Sequence, residues 1–329
     1  MKLAEMRQML SERGIQLTKS LRQNFLHEEK VIAKIAAAGE LTKADKVLEI
    51  GPGLGPLTEL LVAQAGEVLA IEMDARLVEI LRERFSKQPL TPSTEPTPNP
   101  SKEGSPTPDA PSNEVPLLGG VRGGLPQTTG SLQLIHADAL KFLENEPRDW
   151  RGWKLVSNMP YSVASPLLVE LALVEHGPER MVVTLQLEVA KRLKAQANEE
   201  DYGLLTLLVQ LNYEPRAMFR ISAGCFFPQP NVDSACLTLV RRPQPLLTRA
   251  QTKVFVRIVK QAFSQRRKMM AKLLRADWPE EKLTAAMNEL GLSLQIRAEA
   301  VTLQQFVRLT RLMVGDEVTS LTSAGFQKS

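Results

Sequence analysis

The chain has 329 residues, a length that suits one large domain with a small companion. A hydrophobic fraction of 43% beside 24% charged residues is ordinary for a globular protein. No apolar run reaches the ~18–20 residues that a membrane span needs. Cys225 and Cys236 form neither a CxxC pair nor part of a metal cluster, which fits a reducing, cytoplasmic compartment. The net charge is only +4, yet from Arg241 to Arg275 there are eleven Lys or Arg residues and no Asp or Glu. Such a one-sided stretch attracts a polyanion whatever the overall balance.

In chain order, residues 1–40 read as helical. Val31, Ile32, Ile35 and Ala36 form an apolar stripe, and Gly39 is a stop signal. The N-terminus has no basic segment followed by an apolar core, so no secretory signal is expected. Strands and helices then alternate: strand 47–50, helix 57–65, strand 68–71, helix 75–85. This βαβ rhythm predicts a parallel sheet with right-handed crossovers. It breaks near Gln88. From Pro89 to Gly130 there is no aromatic residue, and ten of the chain's 22 prolines fall there. Such a segment buries too little apolar surface to offset its ordering entropy, so a disordered insertion in a surface loop is expected over 88–130. The pattern resumes with strands at 132–135 and 154–157, a helix at 166–174, a strand at 181–187 and a helix at 188–197. Residues 204–211 read as helix or strand, with helix preferred. Residues 217–221 and 235–240 read as a closing pair of strands. Beyond Pro243 only helices are expected, so the domains are read as 1–243 and 244–329. In the basic run, Phe255, Ile258, Ala262 and Met269 or Met270 would pack inward, with Lys253, Arg257, Lys260, Arg267 and Lys268 outward. These outward cations and Arg266 are the candidate phosphate contacts.

The first strand ends in Glu49-Ile50-Gly51-Pro52-Gly53-Leu54-Gly55. Glycines after a strand allow a sharp turn and a close ligand approach. The third glycine falls one place early for a dinucleotide fingerprint, with Pro56 in the expected slot. Glu72, at the end of the second strand, follows Gly51 by twenty-one residues, near the ~20 expected of an acid that holds a ribose. Asp138, after the third, could accept a hydrogen bond from an adenine amino group. Either acid could equally be a helix cap. Three such signals at the ends of successive strands match where open α/β sheets bind ligands.

The fourth strand runs into Ser157-Asn158-Met159-Pro160-Tyr161. Asn158 offers a side-chain carbonyl, Met159 and Pro160 offer backbone carbonyls, and Tyr161 offers a flat face for a base. A planar NH₂ group could enter between such acceptors. None of His27, His136 or His176 is a candidate base.

Asn-x-Pro-Tyr after a strand, downstream of Glu-x-Gly-x-Gly-x-Gly, resembles the methyltransferases that act on exocyclic amines. Gln23-Asn24-Phe25-Leu26, Gln186–Leu193, Phe226–Ser234, Phe263–Lys268 and Arg297-Ala298-Glu299 narrow the resemblance to the KsgA family of 16S rRNA adenine-N6,N6-dimethyltransferases. The resemblance implies an α/β, Rossmann-like fold: a doubly wound, mostly parallel seven-stranded sheet with a small C-terminal all-helical domain. It implies S-adenosylmethionine as cofactor, bound by Asn24, Leu26, Gly51, Gly53, Glu72, Asp138 and Asn158, and no metal. It implies that Asn158, Pro160, Tyr161 and Phe226 form the catalytic pocket, with Phe226 facing Tyr161 across the base. Its expected partners are small-subunit rRNA and the pre-30S particle, met as a monomer. The competing readings are a 23S rRNA adenine methyltransferase, a non-catalytic RNA-binding assembly or transcription factor, and a nicotinamide dehydrogenase. The glycine spacing argues against the last. Met159 stands where the family commonly has Leu, Lys19-Ser20-Leu21-Arg22 departs from its basic-Phe-Gly pattern, and the Pro-rich insertion lies outside it.

Overall fold

A computed structural model describes residues 1–15, 24–86, 130–146, 148–265 and 267–314. All but the last residue of the Pro-rich stretch, the Lys19–Gln23 segment and Arg266 lie outside them.

The chain opens with α1 (Leu3–Glu12), a two-residue strand β1 (Phe25–Leu26) and α2 (Glu29–Ala38), which Gly39 ends. Next come β2 (Lys46–Ile50), α3 (Pro56–Gln64), β3 (Glu67–Glu72), α4 (Ala75–Arg84), β4 (Ser131–His136) and α5 (Ala139–Asn145). β5 (Trp153–Asn158), α6 (Ala164–Leu173), β6 (Arg180–Gln186), α7 (Leu187–Lys194) and α8 (Leu204–Gln210) follow. The sheet is completed by β7 (Tyr213–Ile221) and β9 (Ser234–Arg241), between which lies the short β8 (Phe226–Phe227). Helices α9 (Arg249–Ala262), α10 (Met270–Leu274), α11 (Glu280–Glu289) and α12 (Leu303–Val314) close the described chain.

The main sheet has seven strands in the order β4-β3-β2-β5-β6-β9-β7. The first five are parallel, and β9 runs antiparallel to both β6 and β7. Central parallel strands are covered on both faces, so they read as continuous apolar runs. One face, with Leu48, Leu69, Leu155 and Val183, packs on α5, α6 and α7. The other, with Val47, Val68, Val156 and Val182, packs on α2 and α3. Helix starts follow capping chemistry: Asp74 accepts from Arg76 N at α4, and Thr248 and Gln251 form a capping box at α9. No helix among the described residues is long and apolar enough to cross a membrane.

Three features differ from the sequence expectation. First, Phe25–Leu26 is a strand, paired antiparallel with Phe226–Phe227. Two residues with a partner so far along the chain carry no periodic signal. Second, β7 begins at Tyr213, through Pro215, with a register shift between Pro215 and Met218. Proline is tolerated there because β7 is an edge strand. Third, the helical core does not begin at the expected boundary near 243. Leu207 and Leu208 of α8 and Tyr202 belong to the same buried cluster as Phe255, Ile258 and Phe306. The Tyr202 hydroxyl donates to the Val301 carbonyl at 2.8 Å. Phe255 is fully buried in that cluster. Phe255→Ala is expected to cost roughly 3–5 kcal/mol in urea unfolding, because the cavity cannot collapse around packed helices. A loss below about 1 kcal/mol would show that this cluster is loosely packed.

Candidate active site

β4, β3, β2 and β5 lie side by side and point the same way, so their carboxyl ends form one rim. The chain winds outward through β3 and β4 and then returns to β5 on the other side of β2. This reversal is where open α/β sheets leave a ligand crevice. A cavity of about 290 Å³ opens there, lined by residues from all four strand ends and from β1.

The glycine turn after β2 forms its floor. Gly51 has φ +70°, and a Cβ there would lie 2.9 Å from Pro160 Cγ. Gly53 has φ +61°, and a Cβ would lie 2.9 Å from the Phe25 ring. Backbone conformation and close approach both select glycine at these positions. Glu72 is buried at the tip of β3. Its Oε2 accepts from Gly53 N (3.1 Å), and its Oε1 accepts from Met73 N (2.9 Å) and Asp74 N (3.0 Å). A carboxylate offers about four acceptor positions, so one remains, on the oxygen toward Gly53. Burial raises the Glu72 pKa, and the three backbone N–H groups oppose that rise. Asp138 lines the cavity and also caps α5, its Oδ1 accepting from Leu140 N (2.9 Å) and Lys141 N (3.3 Å). The cap and ligand readings of this acid therefore coexist, because Oδ2 makes no hydrogen bond among the described residues.

At the tip of β5, the Ser157 hydroxyl donates to the Ile50 carbonyl at 2.6 Å and pins β5 to β2. The Asn158 amide Nδ2 donates to the Asn24 carbonyl at 3.3 Å, linking the site to the strand above it. Asn158 Oδ1 is buried and has no hydrogen-bond partner among the described residues. An orphaned buried acceptor is costly and marks a place for a donor. The Pro160 carbonyl accepts from Val163 N at 3.2 Å in the turn into α6. No hydrogen bond among the described residues reaches the Met159 carbonyl. Of the two backbone acceptors expected, the Met159 carbonyl is the one with no partner among the described residues, the Pro160 carbonyl keeps one lone pair, and the Pro160 ring forms a rigid wall against Gly51. Tyr161 lines the cavity, and its hydroxyl shares a 2.5 Å hydrogen bond with Ser234 at the start of β9. Burial raises its pKa and Ser234 lowers it.

Phe226 is placed differently from the expectation. Its ring is 3% exposed and packs with Leu26, Ile32 and Ile221. It is not among the residues that line the cavity. In β8 successive side chains alternate, so Phe226 turns inward and the half-buried Phe227 turns outward, with the Arg7 guanidinium 4.9 Å from its ring. Asn24 and Leu26 do line the cavity.

Sequence reasoning missed Glu49. It is 1% exposed, lines the cavity, and its Oε2 has no partner among the described residues. Burial is the main cause that pushes its pKa up to about 8; the Thr58 hydroxyl opposes the rise, and the neighbouring Glu72 adds to it. The signal was a charged residue inside the apolar run Val47-Leu48-Glu49-Ile50 of a central strand.

In the helical part, Phe255, Ile258, Ala262 and Met270 are buried, whereas Met269 is exposed. Lys253, Arg257, Lys260, Arg267 and Lys268 face solvent. Arg257 also pairs with Asp277, donating at 3.0 and 2.6 Å, so its charge is partly matched within the chain. Among the described residues no group of acidic, Cys and His side chains could hold a metal ion.

The sequence matches the model of the family "Ribosomal RNA adenine dimethylase" over residues 14–93 and 125–314. The interval between the two matched stretches falls in the Pro-rich segment. A "Ribosomal RNA small subunit methyltransferase A" of Pelotomaculum thermopropionicum is 35% identical over 319 residues, 93% of this chain and 94% of that protein. Another, of Latilactobacillus sakei, is 31% identical over 309 residues, 92% of each. The crystal structure of the 23S rRNA methyltransferase ErmE superposes with a TM-score of 0.59 at 27% identity, over 88% of this chain and 99% of that one. A dimethyladenosine transferase from Plasmodium falciparum shares the fold, with a TM-score of 0.64 at 20% identity over 87% of this chain and 95% of that one. The chain belongs to the ribosomal RNA adenine dimethylase family.

Proposed function

We propose that the protein transfers methyl groups from S-adenosylmethionine to N6 of two adjacent adenosines in a loop near the 3′ end of small-subunit rRNA. The observation that carries this reading is the buried, unpartnered Asn158 Oδ1 beside the Met159 carbonyl, at the mouth of an acidic cavity. The cavity fits the cofactor chemically. Three carboxylates (Glu49, Glu72 and Asp138) and no basic side chain line it, which suits a ligand of net positive charge. Glu72 would hold the ribose, Asp138 Oδ2 the adenine amino group, and Leu26, Ile32 and Leu77 the apolar parts. When bound, S-adenosylmethionine supplies a methyl group already activated by a sulfonium.

The protein's own contribution is position. The adenine amine is a poor nucleophile because its lone pair is delocalised into the ring. Asn158 Oδ1 and the Met159 carbonyl accept its two hydrogens, which favours a tetrahedral nitrogen and stabilises the charge developing there. Tyr161, anchored by Ser234, offers its ring to the base. Fixed placement of this kind contributes up to ~7–11 kcal/mol to a bimolecular barrier. No strong base is needed, since the proton passes to water after transfer. The base must leave its stack, which is easiest in a loop. Lys260, Arg267 and Lys268, with Arg257 and Arg266, would hold flanking phosphates and position without reading sequence. The small-subunit target is supported by relatives of that name over most of the chain, and the partner is then a pre-30S particle met by a monomer in the cytoplasm.

The test is methylation of undermodified small ribosomal subunits with labelled cofactor, followed by mapping of the modified bases. Two adjacent dimethyladenosines in the small subunit are expected. Label confined to the large subunit would overturn the choice of target.

A further inference from the structure

The proposed cofactor and the product it becomes differ by one positive charge, and the charged side chains that line the cavity, Glu49, Glu72 and Asp138, are all acidic. Glu49 is the deepest of these. No Lys, Arg or His lines the cavity with Glu49. Among the cations of the packed elements, Arg76 and Arg84 of α4 are each paired with an acid, and Lys30 and Lys34 of α2 are both exposed, the second over the Phe219 ring. β3 brings Glu72, and the cap of α4 brings Asp74, paired with Arg76. α5 brings Asp138. α3 brings Thr58 and the exposed Glu59, which is paired with Arg84 of α4. β5 brings Ser157 and Asn158, and Asn24 precedes β1. Neither Glu49 Oε2 nor the buried Thr58 hydroxyl has a well-formed hydrogen bond. A buried carboxylate with no cation, a second carboxylate nearby and an unpartnered oxygen is poorly stabilised as an anion.

Resting on the cofactor reading above, we infer that Glu49 is a charge sensor. It is protonated in the free protein, gives its proton to solvent when the cationic methyl donor binds, and takes one back once the neutral thioether product remains. The balance is simple. Donor binding turns carboxylic acid plus cation into an ion pair and releases one proton. Methyl transfer releases one proton from the amine, and Glu49 recovers one when the cation is gone. The consequence is discrimination. The ionised Glu49 favours the donor, and loss of the sulfur's charge weakens the hold on the product. The raised pKa of Glu49 agrees with this geometry.

The test is isothermal titration of the full chain with S-adenosylmethionine and with S-adenosylhomocysteine. Each titration is made in two buffers of different ionisation enthalpy, from pH 6 to pH 8. Both ligands carry the same amino-acid tail, so the difference between them isolates the sulfur. Near pH 7 the donor is expected to release close to one proton more than the product. The donor-to-product affinity ratio should rise about tenfold from pH 6 to pH 7, the limit for a single linked proton. Glu49→Gln should abolish the difference in proton release and flatten the ratio. Thr58→Val, which keeps the carboxyl, should preserve both. Equal proton counts for the two ligands, or an unchanged ratio across the pH series, would overturn the role of Glu49 while leaving the cofactor reading intact. The wild-type series alone decides this if Glu49→Gln does not fold. Failure of either ligand to bind the wild type at any pH overturns the cofactor reading and the charge sensor with it.

Discussion

Asn158→Ala is expected to lower turnover by roughly 10²–10³-fold, about 2.7–4 kcal/mol of transition-state stabilisation, while cofactor affinity changes only a few-fold. The split follows from the two ends of the amide. Nδ2 makes a single 3.3 Å bond to the Asn24 carbonyl, a long and modest contact. Oδ1 has no partner among the described residues, so its interaction forms only when substrate arrives. An interaction strengthened in the transition state acts on kcat, and one made equally in the ground state acts on KM. Single-turnover kinetics with undermodified subunits, read beside direct titration of the cofactor, separates the two. Near-normal turnover in Asn158→Ala would remove Asn158 from the chemistry. A collapse of cofactor affinity with normal single-turnover rate would make it a binding residue alone.

What could be read from the sequence was what is contiguous. The glycine turn, Glu72 and Asn158–Tyr161 each follow an apolar strand within a few residues, and the parallel register then brings their ends together without further information. The features that escaped depend on partners distant in the chain. The resemblance set Phe226 in the base pocket, a placement that depends on how its strand pairs. Pairing with Leu26 fixes the pleat and turns the ring into the core. Met159 and Pro160 looked equivalent as acceptors until the start of α6 engaged one lone pair of the Pro160 carbonyl with Val163 N. The expected domain boundary near 243 followed the change in element type, whereas burial follows α8, whose leucines serve the helical core. Arg257 sits in a run with no acidic residue, but Asp277, just past its end, folds back to pair with it. Glu49 was visible beside the glycines, yet only the burial of β2 on both faces distinguishes it from an ordinary loop acid.

The same buried carboxyl makes the ligand-free protein sensitive to alkali, in the direction opposite to that of a salt-bridged acid. Unfolded, Glu49 titrates near its ordinary 4.5, and in the fold it is pushed up to about 8. Between these values the folded chain keeps a proton that the unfolded chain has released. Raising the pH therefore favours unfolding. The stabilisation is fully present below about 4.5 and is lost as pH rises through about 8. The span between the two values corresponds to roughly 4–5 kcal/mol at ~1.4 kcal/mol per unit, a large part of the 5–15 kcal/mol typical of a domain. Urea unfolding without ligand at pH 5.5, 7 and 8.5 should show the wild type weakening steadily, and Glu49→Gln weakening much less. Glu72 also has its pKa raised by burial and shifts stability the same way, so the comparison that counts is wild type against the single substitution. Excess S-adenosylmethionine should flatten the wild-type profile as well, because the bound cation meets the charge that high pH creates. Parallel pH profiles for the two proteins would show that Glu49 is ionised in the free fold, and a compensating cation would then have to lie within its reach.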